Sequence, residues 1–140
     1  MKRYLASGAL FALILSGCGS VDAGLVTRPA GSNAFQGDRA ELVAAGEALW
    51  SDNSLGEAGV SCASCHVGGA QFKDTFKQPY PHRVAMADKM SGLPSIDAEQ
   101  MVQFCMIVPM KGEPLGWDSR ELAALAAYID DVEQPNFASK

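Results

Sequence analysis

The chain has 140 residues, enough for one domain and hardly for two. It sets 11 Lys and Arg against 16 Asp and Glu, a net charge of −5, which argues against a nucleic-acid partner because a phosphate backbone demands a basic face. With 48% apolar residues and only four cysteines, it fits neither a disordered chain nor a disulfide-dense mini-fold.

Residues 1–17 read as an export signal. Lys2 and Arg3 form a positive start, and residues 4–15 are mostly apolar. That run is too short for a lasting membrane span and suits a signal core. It closes on Leu15-Ser16-Gly17-Cys18, which resembles a bacterial lipobox. The resemblance implies cleavage before Cys18 and acylation of its thiol, with several chains giving a stable anchor. The alternative is an ordinary secretory signal. Gly19 after the cysteine, by likeness to Gram-negative lipoproteins, implies the periplasmic face of the outer membrane. Residues 18–37 are rich in Gly, Ser, Ala and Asn, and are expected to form a lipid-anchored flexible tether with a reach of roughly 25 Å.

A domain is expected over residues 38–134, followed by a short tail at 135–140. Three segments in it carry helical periodicity, and each opens on an Asp with Glu or Gln three residues later: Asp38 with Glu41, Asp97 with Gln100, Asp118 with Glu121. The first helix presents Leu42, Ala45, Gly46, Leu49 and Trp50 on one side. The second presents Met101, Phe104, Cys105 and Val108, and Pro109 should end it. The third presents Leu122, Leu125, Ala126, Ile129 and Val132, with Tyr128 at its edge. No alternating strand pattern occurs. Residues 51–94 are rich in Gly and Pro and are expected to be mostly loop.

Cys62-Ala63-Ser64-Cys65-His66 is the C-x-x-C-H sequence of c-type haem attachment. Two thiols three residues apart on one helical turn can add to the two vinyl groups of a single haem, and the next residue, His66, can then reach the iron. Half a zinc site would need a second ligand pair at similar spacing, and no second C-x-x-C exists. A thioredoxin-like pair would need a βαβ context that the pattern lacks. One motif implies one covalent haem c.

On these residues the chain resembles the class I c-type cytochromes, from about Asp38 to Val132. The resemblance implies a small all-α fold of three main helices and long loops wrapped around one covalent haem. Gly46 and Trp50 fall where that family has a Gly and an aromatic in its first helix, and Leu125 and Tyr128 where it has a Leu and an aromatic in its last. The stretches Glu47–His66 and Cys105–Ile129 are more narrowly similar to cytochromes of bacterial thiosulfate-oxidising and related electron-transfer systems.

His66 is expected as the proximal iron ligand. The resemblance places the distal ligand at Met110, on the loop after the second helix. Met101, Met86, Met90 and Met106 fit worse. Cys105 is the odd thiol. It reads as a buried inert residue, or, by likeness to sulfur-oxidising relatives, as a thiolate ligand or a substrate-carrying thiol. His82 is the third candidate, or a partner for a haem propionate. The family analogy further expects the Pro79 or Pro81 carbonyl to accept from the His66 ring.

Lys73, Lys77, Arg83 and Lys89 form a basic stretch that either meets a redox partner or is simply solvated. The leading expectation is therefore a membrane-tethered electron-transfer cytochrome with redox proteins as partners and no catalytic residues. The alternatives are a haem subunit or enzyme of sulfur-compound oxidation using Cys105, and a gas-binding or sensor haem with an open sixth position.

Overall fold

The structure is a computed structural model that describes residues 20–140; the signal and Cys18 lie outside the described residues. Helices occupy Arg39–Trp50 (α1), Cys62–His66 (α2), Ala85–Ser91 (α3), Ala98–Ile107 (α4), Arg120–Tyr128 (α5) and Gln134–Ala138 (α6). Among the described residues there is no strand, only an isolated antiparallel bridge between His82 and Ile96. The chain is all-α, as its patterning requires.

Two of the three expected caps form. The Asp38 carboxylate accepts from the Glu41 N–H at 3.0 Å, and that of Asp97 from Gln100 N–H at 2.7 Å. At α4 the box closes reciprocally, because Gln100 Oε1 accepts from the Asp97 N–H at 3.0 Å. The third cap lies one residue later than expected. Ser119 donates its N–H to Gly116 O at 2.9 Å, in a turn that leaves Asp118 outside the helix. The Ser119 hydroxyl then accepts from the Leu122 N–H.

α1 and α5 cross at Gly46. A Cβ there would stand within 2.6 Å of Tyr128 Cβ and closer still to the Ala124 carbonyl oxygen, so only Gly permits this approach. Leu122, Leu125, Ala126 and Tyr128 join Trp50, Val102, Met106 and Met110 in the main core. α4 ends at Ile107 with Val108 as its cap, just ahead of Pro109.

Three expectations are corrected. The stripe read on α4 is divided: Met101, Phe104 and Val108 pack with Val21, Val26, Ala87 and Ile96, while Cys105 is outside that cluster and lines a cavity with Cys62, Cys65 and Met110. Second, residues 21–28 are not a free tether. Val21 and Val26 are buried, Val21 N–H donates to Met90 O at 2.9 Å, and Arg28 donates to Trp117 O and pairs with Glu99. Two valines spaced five apart in a polar segment were too sparse to register as periodicity. Third, the tail is helical. α5 runs through a π-helical stretch, Ile129–Glu133, into α6, and Phe137 packs against Phe72 and Phe76.

The expected loop of residues 51–94 contains α2, α3 and 3₁₀ turns at Val67–Gly69 and Asp74–Lys77. α3 escaped the sequence pattern because it has seven residues and no side-chain cap at Val84. It stops at Gly92, whose φ of 74° is left-handed.

Candidate functional site

The haem-attachment sequence is the whole of α2. Its first turn is closed by Ser64 of the motif and Ser61, the cap before it: Ser61 donates its N–H to the Ser64 hydroxyl at 3.0 Å, and Ser64 donates its N–H to Ser61 O at 3.1 Å. Ser64, a variable position of the motif, thus fixes the turn that spaces the two cysteines. Cys62, Cys65 and His66 line one side of a cavity completed by Val60, Ser61, Cys105, Pro109 and Met110.

The chain after α2 folds back beneath His66. Gly68 and Gly69 take φ of 64° and 86°, which a side chain would resist, and they bring the Ala70 carbonyl to 3.1 Å from His66 Nδ1. A carbonyl can only accept, so Nδ1 carries the proton and Nε2 keeps its lone pair. Ala70, and not Pro79 or Pro81, orients the ring. The imidazole stacks on Phe72 at 4.2 Å between centroids and lies 5.9 Å from Trp50. Phe72 stacks in turn on Phe76 at 3.9 Å. Burial lowers the His66 pKa against the opposing effect of the Ala70 bond, which favours the neutral, ligating form.

Met110 closes the cavity from the far side. It is 2% exposed, and its backbone is held at both ends: its N–H donates to Cys105 O at 3.1 Å and its carbonyl accepts from the Ala58 N–H at 2.9 Å. Gly56 packs so closely on this residue that a Cβ would come within 2.7 Å of Met110 Cβ. The loop beyond is pinned by Gln103, which is fully buried. Its Nε2 donates to Leu115 O at 2.7 Å and its Oε1 accepts from Leu115 N–H at 2.8 Å. Sequence reasoning passed over Gln103. The available signal was a long amide in the middle of an otherwise apolar helix, which must find backbone partners once buried.

Cys105 lines the same cavity as Met110. Burial pushes its thiol up to about 12. His82 is elsewhere. It is buried, stacks on Tyr80 at 4.1 Å, and is absent from the cavity wall. Among the described residues its Nδ1 has no hydrogen-bond partner, and burial lowers its pKa. The basic stretch is partly neutralised, since Arg83 pairs with Asp88 at 2.7 Å and Lys77 approaches Asp74 at 3.8 Å.

The donor set fits a covalent haem. Two thiols stand one turn apart, an imidazole offers Nε2, and a thioether sits across an apolar gap. Among the described residues, no three His, Cys, Asp or Glu side chains converge as a closed cage for a bare metal ion.

Residues 45–134 match the family model for the SoxA/TsdA cytochrome c domain. No curated protein and no solved structure matches the chain.

Proposed function

The chain belongs to the SoxA/TsdA cytochrome c domain family, a group of c-type cytochromes related to sulfur-oxidising systems, and from that premise we propose that it is an exported one-electron carrier ligated by His66 and Met110. The covalently held haem c supplies a reversible one-electron change at iron. The chain supplies the rest. Cys62 and Cys65 would hold the haem through thioether bonds. The Ala70 bond holds His66 in the tautomer that offers Nε2 and raises its donor strength. Phe72 stacks on the imidazole and Trp50 lies tilted beside it. A thioether from Met110 favours the reduced state and raises the potential.

One observation carries this reading: Met110 is buried on the cavity that holds the attachment motif, and its backbone is clamped on both sides. A ligand held by its own backbone has little room to move when the electron arrives. Absorption spectra of the purified protein, ferric and ferrous, test it. The expected result is a low-spin haem with the weak far-red methionine band and no uptake of carbon monoxide. Ready carbon monoxide binding or thiolate features would overturn it.

A second reading has its own support. Cys105 shares the cavity wall with Met110, so a haem subunit or enzyme of sulfur-compound oxidation could use this thiol as ligand or substrate carrier. Thiolate features that vanish in Cys105→Ser would select it.

Export with acylation at Cys18, and residence at the periplasmic face of the outer membrane, are part of the same proposal and rest on the lipobox sequence. The partners are redox proteins that dock weakly near the attachment motif. Val67, directly after His66 and 72% exposed, offers them an apolar contact.

A further inference from the structure

The lipobox and the docked N-terminal segment together fix more than an address. Gly19 and Ser20 are all that separate Cys18 from Val21, which is buried against the domain and hydrogen-bonded to Met90 O. Three residue steps span at most roughly 10 Å. The free tether expected from composition would have reached roughly 25 Å. The acyl chains must lie in the bilayer and the headgroup layer is only some 5–8 Å deep on each side. The domain therefore has no room to hang away from the surface.

The docked segment is secured at both ends. Val21 and Val26 sit in the core with Ala87, Ile96 and Phe104. Seven residues after Val21, Arg28 pairs with Glu99, donates to Trp117 O at 2.6 Å, and lies over the Trp117 ring at 5.1 Å. Among the described residues three large apolar side chains are exposed: Leu25 at 50%, Met86 at 41% and Val67. Two of them, Leu25 and Met86, belong to the docked segment and to α3, the elements that the Val21–Met90 bond joins. Lys89 is exposed on α3 as well, a cation suited to lipid phosphate.

We propose that the docked segment 20–28 and α3 form a membrane-apposed face that lies on the lipid headgroups, so that the domain is held in one orientation and not on a swinging tether. The occupant is the bilayer carrying the Cys18 acyl chains, and the proposal rests on the lipoprotein reading above. α4 stands between this face and the haem cavity, with Phe104 on the membrane side and Cys105 on the other. The cavity is thereby turned from the bilayer, towards partners arriving through the aqueous phase.

The test is amide hydrogen exchange on the full acylated protein, in detergent and on vesicles of phosphatidylethanolamine and phosphatidylglycerol. Exchange in residues 22–28 and in α3 is expected to slow several-fold on vesicles, while α2 and the Met110 loop stay unchanged. Inserting about twelve Gly and Ser residues between Ser20 and Val21 adds roughly 20 Å of reach and leaves every packed residue in place. In that variant the extra protection should disappear while the protein still floats with the vesicles. Protein that floats without this added protection overturns the inference alone, whereas protection that survives the insertion supports the face and assigns it to its own contacts with the headgroups instead of the short link. Protein that carries no acyl mass at Cys18 and does not float overturns both the inference and the anchor.

Discussion

The two sides of α4 belong to one helix of ten residues, yet they do different work. Towards the N-terminal segment, Met101, Phe104, Ile107 and Val108 make a dry apolar contact with Val21, Val26 and Ile96. Towards the attachment motif, Cys105 opens on a cavity it shares with Met110, and Gln103 spends its amide on the backbone of Leu115. The first side holds the domain together and could be rebuilt from other apolar residues. The second holds sulfur atoms in place, and depends on particular atoms at particular positions.

The difference can be broken from either side. Phe104→Ala should have the largest effect on stability, about 3–5 kcal/mol, because it empties a fully buried site. Chemical denaturation would measure this loss, and the haem spectrum of the folded fraction should not change. Met110→Ala should cost about 2–5 kcal/mol by the same argument. Unlike Phe104→Ala it should also lower the reduction potential and open the iron to carbon monoxide, read by redox titration and absorption. An unchanged spectrum would remove Met110 as the ligand.

Arg28→Ala should cost about 1.5–3 kcal/mol, since a charge-assisted bond to Glu99 and the bond to Trp117 are lost together. Its spectrum should be that of the parent, which would separate the clamp from the cavity. Cys105→Ser should cost about 1–2 kcal/mol, because a hydroxyl is harder to bury than a thiol. The electron-carrier reading expects no spectral change; a large one would move the protein to the sulfur-chemistry reading.

The smallest effect concerns acid. Burial depresses the His82 pKa below its unfolded value near 6.5. Protons then bind the unfolded chain more readily, so this stabilisation is complete above about pH 6.5 and is lost as pH falls towards the folded pKa. Thermal melts of the parent and His82→Gln should diverge on acidification, with the variant less sensitive.

How much of this was legible in the sequence depended on whether a feature is local. The caps at Asp38 and Asp97 and the stop before Pro109 follow from spacing and from what one residue type can do, and the place of Gly46 follows from the resemblance to class I cytochromes. The cap at Ser119 was missed by one position because a turn from Gly116 decided which of two neighbouring side chains meets the helix. The attachment motif was legible because its chemistry fits within five consecutive residues. Its orienting carbonyl was not. Ala70 carries no signal in its side chain, and it takes its role only from the turn made by Gly68 and Gly69.

By itself the sequence determined the all-α class and the covalent haem c, because an attachment sequence confined to one turn of helix needs no distant partner. Only the tertiary structure decided that Met110 and Cys105 meet at one cavity, that His82 stays away from it, and that residues 21–28 are bound to the domain. Each of these joins segments tens of residues apart. Packing sets such distances, through backbone bonds and buried apolar surface that no local pattern records.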